Sequence, residues 1–394
     1  MNRFDHAKIV LETLESHGFE AYFVGGSVRD YIMGREIHDV DVTTNARPDT
    51  IKDLFQKTID VGIEHGTVIV LIVDDEPIEV TTYRTETTYT DYRRPDSVSF
   101  TTSLLEDLSR RDFTMNAIAM DKNMNIEDPF DGHIAIEEKR IETVGIADER
   151  FNEDALRMLR AVRFMSQLEF NLTTETEDAI RKNVSLIRYV SIERIVKELK
   201  KLYEGKNVTE AKHALVNTNM YRHIPFFKSL SRTEIIETNA HSLIDEIIVQ
   251  LIKDSSMSYA NVLKLSNNET KYIKNSLRLL DDARSNLESK RLAFKYSEDV
   301  IGNTVSLLEL NPILDESLIK RLKDAKIEKQ KLPIKNRSEL EINGRILMEK
   351  LNKKGGPWLQ TLLTKIEGEV IMGRLKNTEK DILEWVLNEQ ENNS

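Results

Sequence analysis

Two carboxylates two positions apart, Asp39 and Asp41, are the first candidates for chemistry in this chain. They lie in the run Ile-His-Asp-Val-Asp-Val-Thr, whose alternation predicts a strand over residues 37–43. Side chains two apart on a strand point to the same face, so both carboxylates are expected to project together. Because like charges repel, such a pair favours a hard cation, and Mg²⁺ takes one or two carboxylates with phosphate oxygens and waters. The same pattern also occurs by chance in acidic proteins that bind no metal.

A glycine turn stands shortly before this pair. Gly25, Gly26 and Ser27 follow a predicted buried strand at 21–24 and open a short helix that contains Arg29. Glycine lets the backbone approach a phosphate, serine is a suitable helix cap, and the first N–H groups of a helix attract anions. A plain strand-to-helix turn has the same composition, but the nearby Asp-x-Asp strand favours a phosphate site.

Glu79 is a third candidate carboxylate. It lies on the second strand of a predicted hairpin formed by residues 68–73 and 78–83. If that strand neighbours the strand of Asp41, Glu79 joins the acidic pair; otherwise it is a solvated strand residue. The sequence leaves both interpretations open.

Asp154, Arg157 and Arg160 recur at three-residue spacing in a predicted helix, which would place neighbouring members close together on one face. A carboxylate that only accepts, beside a guanidinium that only donates, forms an edge complementary to cytosine or adenine. Uracil and guanine would present an oxygen to Asp154 and be rejected, because a buried unpaired acceptor costs about 1–3 kcal/mol. An intrahelical salt bridge explains the same spacing. Arg160 and Arg163 either reach a triphosphate or face solvent.

These residues require a sheet first and helices afterwards. Helix and strand signals alternate from residue 4 to about residue 144 and predict a mixed sheet with helices. A polar segment at 85–102 lacks periodicity and predicts a mobile loop. From residue 152 onward nearly every segment has helical periodicity. The pattern predicts an α+β protein with an α/β head on a long helical body.

Composition restricts the class of protein. The chain has 394 residues, no cysteine, and no apolar stretch near the roughly 20 residues that span a bilayer. Disulfides, thiolate metal sites and cysteine nucleophiles are therefore excluded. The beginning of the chain lacks the pattern of a secretory signal. We expect a cytoplasmic, modular protein with no membrane partner.

The net charge of −11 argues at first sight against a nucleic-acid partner, because phosphate contacts need lysine and arginine. The charge is unevenly distributed, however. Residues 181–201 contain seven basic and two acidic residues, and residues 320–354 contain twelve basic and five acidic residues. Such segments form either local basic surfaces on an acidic protein or ordinary solvated helix faces.

The motifs together resemble the polymerase-β-like nucleotidyltransferases, and specifically the class II branch that contains bacterial CCA-adding enzymes and poly(A) polymerases. The resemblance rests on segments that follow one another in the order of the family: residues 25–30 with 39–41, 109–117, 128–132, 150–164 and 191–194. A looser match at 341–360 resembles the Gram-positive bacterial type.

The resemblance implies the domain organisation. The catalytic head, with its mixed sheet, would occupy residues 1–135, the helical neck 136–205, the helical body 206–285 and the helical tail 286–394. It also allows a homodimer.

The resemblance further implies template-independent addition of C, C and A to the 3′ end of tRNA from CTP and ATP. Asp39 and Asp41 would hold two Mg²⁺ ions, and Arg111, Asp112 and Asn116 would contact the ribose and triphosphate. Within the family, an A-adding enzyme and a bacterial poly(A) polymerase are alternatives. A catalytically inactive RNA-binding protein is an alternative of another class.

Two further segments bear on this choice. The run at 62–68 resembles CCA-adding enzymes rather than poly(A) polymerases. The polar loop retains residues that an enzyme adding only CC is expected to lack: Asp91, Arg93 and Arg94. In the basic tail, the candidates for distant contacts with tRNA are Lys320, Arg321 and Lys323.

Overall fold

The computed structural model describes residues 3–62, 66–72, 76–86, 98–285, 287–311 and 316–391. The chain divides into two compact units. The first contains Met1–Glu237 with Val262–Lys264, and the second contains Thr238–Asn261 with Leu265–Ser394. The division at residue 237 falls inside the segment that the sequence assigns to the body.

The first unit begins with alternating helices and strands and continues mainly as helices. Its elements are α1 (Arg3–Ser16), β1 (Ala21–Val24), α2 (Gly26–Ile32), β2 (Asp41–Thr44), α3 (Pro48–Leu54), β3 (Thr58–Gly62), β4 (Thr67–Leu71), β5 (Pro77–Thr82), β6 (Arg84–Glu86), β7 (Val98–Phe100), α4 (Leu104–Ser109), β8 (Ala119–Met120), β9 (Ile126–Glu127), α5 (Gly132–Glu137), β10 (Arg140–Ile141), α6 (Ala147–Glu153), α7 (Leu156–Leu168), β11 (Asn171–Leu172), α8 (Thr174–Asn183), α9 (Ile192–Tyr203), α10 (Val208–Asn217) and α11 (Arg232–Glu237).

In its described residues the second unit contains helices and no strand. Its helices are α12 (Leu243–Lys253), α13 (Asn267–Arg284), α14 (Ser289–Lys295), α15 (Glu298–Leu310), α16 (Glu316–Lys329), α17 (Gly344–Lys350), α18 (Pro357–Met372) and α19 (Glu379–Glu391). The helices α13, α14, α15 and α16 share one apolar core, and the helices α17, α18 and α19 share a second. In the described part of the chain, no helix is both long enough and apolar enough to cross a membrane.

The head contains the predicted mixed sheet. Seven strands follow the order β3-β4-β5-β2-β1-β8-β9, with β2 and β5 parallel and the other neighbours antiparallel. On one face, Val42, Val68 and Val80 are buried, and α1 and α3 pack there. Because strand residues alternate between faces, Asp41 and Glu79 lie on the other face. The hydrophobic alternation thus determines which face is available for chemistry.

Several sequence predictions about local structure are confirmed, and three need correction. The strand at 21–24 and the hairpin of β4 and β5 are present. The strand predicted over 37–43 begins only at Asp41, so Asp39 lies in the segment before it. The ends of the predicted loop form an antiparallel ribbon, β6 with β7, and the residues between them lie outside the described ranges. Strand structure also recurs later than predicted, since β11 pairs with β10.

Candidate active site

A cavity of about 1080 Å³ lies within the first unit, between the carboxylate face of the sheet and the helices α7 and α9. Every candidate nucleotide or carboxylate residue of the sequence analysis lines it: Gly25, Gly26, Ser27, Arg29, Asp39, Asp41, Glu79, Arg111, Asp112, Asn116, Asp154, Arg157, Arg160 and Arg163. The predicted loop residues Asp91, Arg93 and Arg94 lie outside the described part of the chain.

The three carboxylates come together at β2. Asp41 is its first residue and lies in register with Glu79 of the parallel strand β5, so the two strands are indeed neighbours. Asp39 is exposed in the segment before β2 and lines the same cavity. Burial, the charge of Glu79 and, to a smaller extent, that of Asp39 raise the pKa of Asp41 to about 6, although Arg111 opposes the shift. The neighbouring positive charge therefore does not fully neutralise the three carboxylates.

The Gly25 turn approaches these carboxylates closely. Gly25 has a φ of +73°, and a Cβ there would lie 3.2 Å from Arg111 Nη1 and 3.8 Å from Asp41 Oδ2. The backbone conformation requires glycine, and a Cβ there would also crowd Arg111. The prediction that Ser27 caps the helix is wrong: its hydroxyl is buried and donates to the Val24 carbonyl at 3.0 Å. Ser27 thus ties the turn to β1.

Arg29 is held in place by neighbouring side chains. Its Nη1 donates to Asn116 Oδ1 at 2.7 Å, and its Nε and Nη2 donate to Asp30 Oδ1 at 3.0 and 2.9 Å. The guanidinium also lies over the Phe164 ring, 5.4 Å from its centre. These contacts present Arg29 to the cavity in one orientation.

Asp107 is a functional candidate that the sequence analysis missed. It is fully buried and accepts hydrogen bonds from Arg110 at 2.8 Å, from Arg111 at 3.2 Å and from the Thr43 hydroxyl at 3.2 Å. Burial raises the pKa of its carboxyl, but the charges of Arg110 and Arg111 together with their hydrogen bonds outweigh burial and lower the pKa overall. Asp107 therefore orients the arginine beside Asp41. Its spacing of three and four residues from the two arginines was the available signal.

Three arginines line one wall of the cavity from α7, and each faces an acid from a different segment. Arg157 pairs with Glu153, Arg160 with Asp112, and Arg163 with Glu198 at 2.9 Å. Arg160 and Arg163 are thus directed into the cavity and are not ordinary solvent-facing residues. Burial and the charge of Arg160 lower the pKa of Arg163 to about 10.

The sequence predicted Asp154 and Arg157 on one helix, but Asp154 does not lie on the helix that contains Arg157. It directly follows the last residue of α6, with extended backbone at φ −134° and ψ 103°, and its carboxylate accepts from the backbone N–H of Leu156 at 3.0 Å. Its ionic partner is Arg194 of α9, at 2.7 Å, so the interpretation as an intrahelical salt bridge with Arg157 is wrong. Arg157 also donates to the Arg110 carbonyl at 2.9 Å. Both side chains nevertheless line the same cavity.

The basic segment 181–201 contributes directly to this site. Lys197 and Lys201 of α9 line the cavity, although the sequence predicted only a local basic surface or a solvated helix face for this run. Burial and the nearby charge of Arg163 lower the pKa of Lys201. The helical periodicity of the run did not show which of its cations face α7.

The carboxylate of Asp112 is expected to be a large contributor to stability in this site. Burial raises its pKa, but the charge of Arg160 and hydrogen bonds from Asn116 and Arg160 hold it well below the usual range. Asp112→Ala should lower the free energy of unfolding by about 3 kcal/mol, because it leaves Arg160 and Asn116 without their acceptor. Urea unfolding of the full chain at pH 7 measures this. Asp60→Ala, which breaks the exposed pair with Lys52, is the matched control and should cost about 0–1 kcal/mol; equal effects would contradict the expectation.

The tail candidates differ from one another. Arg321 is partly buried and donates to the Ala283 carbonyl at 2.6 Å, while Lys323 pairs with Glu309. Lys320 is exposed on the same helix, α16. Arg321 is thus part of the packing of the second unit.

Known proteins similar to the chain agree on one family. Residues 21–142 match the model of the poly A polymerase head domain, residues 169–230 the model described as "Probable RNA and SrmB- binding site of polymerase A", and residues 246–386 that of tRNA nucleotidyltransferase domain 2.

Relatives extend this similarity to the whole chain. The CCA-adding enzyme of Staphylococcus haemolyticus is 43% identical over 390 residues, 97% of both chains, and that of Staphylococcus aureus strain MRSA252 is 44% identical over 392 residues, 98% of both. The crystal structure of the Bacillus stearothermophilus CCA-adding enzyme in complex with CTP matches with a TM-score of 0.84 and 34% identity, covering 100% of this chain and 99% of that one. The chain therefore belongs to the family of CCA-adding enzymes.

Proposed function

We propose that the cavity of the first unit is the site at which this enzyme adds C, C and A to the 3′ end of tRNA from CTP and ATP, with release of pyrophosphate and without a template. The observation that carries the proposal is the register of Asp41 with Glu79, beside Asp39 and facing the arginines of α7. Acidic groups for the reacting atoms and cations for a triphosphate thus share one cavity.

The triphosphate is assigned to the Gly25 turn and the cations around it. Arg111 lies against this turn and is oriented by Asp107, and Arg29 is held by Asp30 and Asn116. Because these groups are already fixed, they place the α-phosphate beside Asp41 without losing further side-chain freedom. In-line attack by the RNA 3′ hydroxyl then expels pyrophosphate on the opposite side.

Asp39 and Asp41 are the proposed ligands of Mg²⁺. Hard carboxylate oxygens suit this ion, and the raised pKa of Asp41 indicates a site short of positive charge. Among the described residues, no group of three or more His, Cys, Asp or Glu side chains is arranged to hold a metal alone, so nucleotide phosphates would complete the coordination. When bound, the ion supplies charge neutralisation at the phosphates and a lower pKa for the attacking hydroxyl. Glu79 is the third carboxylate beside this hydroxyl.

The base is assigned to Asp154 and Arg157. Arg194 fixes the carboxylate of Asp154, and Glu153 with the Arg110 carbonyl fixes Arg157. Asp154 accepts from the amino group of cytosine or adenine, and Arg157 donates to the adjacent ring nitrogen. The different backbone position of Asp154 leaves this proposal intact, because recognition depends on the two side chains and not on a shared helix.

Single-nucleotide assays test the activity and its alternatives. A tRNA that lacks CCA should gain two residues with CTP alone and none with ATP alone, and a tRNA ending in CC should gain one residue with ATP. A long A tail would instead identify a poly(A) polymerase, and A addition without C addition an A-adding enzyme. If no nucleotide is incorporated, the result would identify a catalytically inactive RNA-binding protein. The match of residues 246–386 to a tRNA nucleotidyltransferase domain supports the first outcome.

The basic tail is the proposed contact with distant parts of tRNA. Lys320→Glu with Lys323→Glu should weaken tRNA binding by about tenfold at low salt, and the loss should shrink as salt rises, because each phosphate contact releases counterions. Binding measured at two salt concentrations checks this. Lys380→Glu, on α19, is the control. Unaltered affinity of the double variant would refute the assignment. Arg321 is left intact because its contact with Ala283 supports the fold.

The cytoplasmic location and the domain boundaries within each unit stay predictions. The location can be checked by fractionating cells that express the protein. The boundaries can be checked by limited proteolysis, since cleavage concentrates in exposed segments between folded parts.

A further inference from the structure

Asp41 has two different sides along the sheet. On one side β1 leads into the Gly25 turn, beside Arg111. On the other side β5, β4 and β3 continue to the edge of the sheet. The groups assigned above to the triphosphate belong to the first side. The second side lies next to Glu79.

The second side presents an apolar ledge, which we define as Ile59, Val61 and Ile69. Ile59 lies opposite Ile69, Ile69 opposite Glu79, and Glu79 opposite Asp41, so all four share one face of the sheet. Val61 lines the same cavity as both carboxylates. Val61 is 59% exposed and Ile59 is 48% exposed. The apolar surface is therefore continuous with the catalytic carboxylates.

Ile59 and Val61 of the ledge lie on the edge strand β3, where exposed apolar residues promote unwanted strand pairing. Asp60, between Ile59 and Val61, lies on the opposite face and pairs with Lys52 of α3 at 3.0 Å. The apolar side chains of β3 are thus directed to the carboxylate face. An occupant with an apolar surface that also reaches Asp41 accounts for this arrangement.

In-line transfer places the attacking hydroxyl and the leaving pyrophosphate on opposite sides of the α-phosphorus. With the triphosphate on the Gly25 side, the RNA hydroxyl must arrive from the Glu79 side. We infer that the ledge holds the terminal nucleobases of the RNA 3′ end by apolar contact, so that the hydroxyl lies at Glu79 and Asp41. This inference rests on the proposed function and names the binding site of its RNA substrate.

The dimensions and chemistry of the ledge fit this occupant. Neighbouring strands are about 4.8 Å apart, so the row from Asp41 to Ile59 spans about 14 Å. A terminal base whose face lies against the ledge fits within that length, and the preceding base stacks on it at about 3.4 Å. The terminal base changes with each addition, and aliphatic side chains offer no hydrogen bond that would select one base. Apolar contact with base faces tolerates every base in turn.

Substitution on the ledge tests the inference. Ile59→Ser with Val61→Ser should raise the KM for a tRNA ending in CC about tenfold, while the KM for ATP changes less than twofold. Val61→Leu, which keeps an apolar surface, should retain the wild-type KM for tRNA. Ile126→Ser is the matched control, because Ile126 is 43% exposed on β9, the opposite edge strand. It should change neither KM.

A second readout does not depend on turnover. A tRNA whose 3′ terminal base is 4-thiouridine should crosslink on irradiation to β3 or β4 of the wild-type protein, and the double serine variant should lose most of this crosslink. The assignment of the ledge to the RNA 3′ end would be overturned by an unchanged KM for tRNA, by an equal rise in the KM values for tRNA and ATP, or by a crosslink to other elements. If wild-type protein adds no A to the tRNA ending in CC, the proposed function itself fails, which separates the two outcomes.

Discussion

Asp41→Asn is expected to abolish nucleotide addition and, at the same time, to stabilise the metal-free protein. Loss of a proposed metal ligand at the reacting phosphate should lower kcat by about 1000-fold or more. Stability should rise because burial and Glu79 disfavour the ionised carboxylate, which raises the pKa of Asp41 to about 6. Ionisation of Asp41 therefore costs folding free energy once the pH exceeds the ordinary carboxyl pKa of about 4, and the full cost is reached above pH 6. Asparagine removes this cost.

The gain has a defined dependence on pH. A shift from 3.8 to about 6 corresponds to a gain of about 3 kcal/mol at pH 8, and the gain should be smaller at pH 5, where the wild-type carboxyl is largely protonated in the folded state. Urea unfolding in EDTA at both pH values measures it. Asp39→Asn is the matched control: Asp39 is exposed, so this variant should lose activity without the gain in stability. Full activity in either variant would contradict the assignment of the metal ligands.

The second large effect concerns nucleotide choice. Asp154→Ala should lower the preference for CTP over UTP by about 10- to 100-fold in kcat/KM, because the variant no longer leaves a charged acceptor facing the uracil oxygen. Competition between the two nucleotides on a tRNA that lacks CCA measures the ratio. Arg194→Ala should also lower the preference for CTP over UTP, but by a smaller factor, since it leaves Asp154 in place without the partner that orients it.

Asp148→Ala is the control for the Asp154→Ala and Arg194→Ala variants. Asp148 is a carboxylate on α6 that pairs with Lys182 and does not line the cavity. Its loss should leave the CTP to UTP ratio unchanged. If Asp154→Ala also leaves the ratio unchanged, recognition of the base by a carboxylate and a guanidinium is wrong.

The sequence predicted which residues line the cavity more successfully than it predicted how these residues are arranged in space. Local periodicity placed Asp41 and Glu79 on strands and on the correct faces. It could not establish that β2 and β5 are neighbours, because parallel pairing across an intervening hairpin depends on strand order and not on local pattern. Glu79 therefore remained ambiguous until the sheet was known.

Asp154 shows a different limit. Three-residue spacing suggested one continuous helix, whereas α6 ends at Glu153 and α7 begins at Leu156. Aspartate favours such a break, since its side chain can accept from backbone N–H groups at a helix start. The partners of the α7 arginines were equally hidden: Asp112 lies 48 positions from Arg160. Such contacts arise from packing between segments, which single-sequence periodicity does not contain.

The most direct test of the account is to sequence the 3′ ends of a tRNA lacking CCA after incubation with the protein, Mg²⁺ and all four nucleotides. The proposed site predicts addition of C, C and A in that order followed by a stop, and no extension with Asp41→Asn. Ends that carry U or G, a long A tail, or unchanged extension by the variant would contradict the assignment of this cavity as a CCA-adding active site.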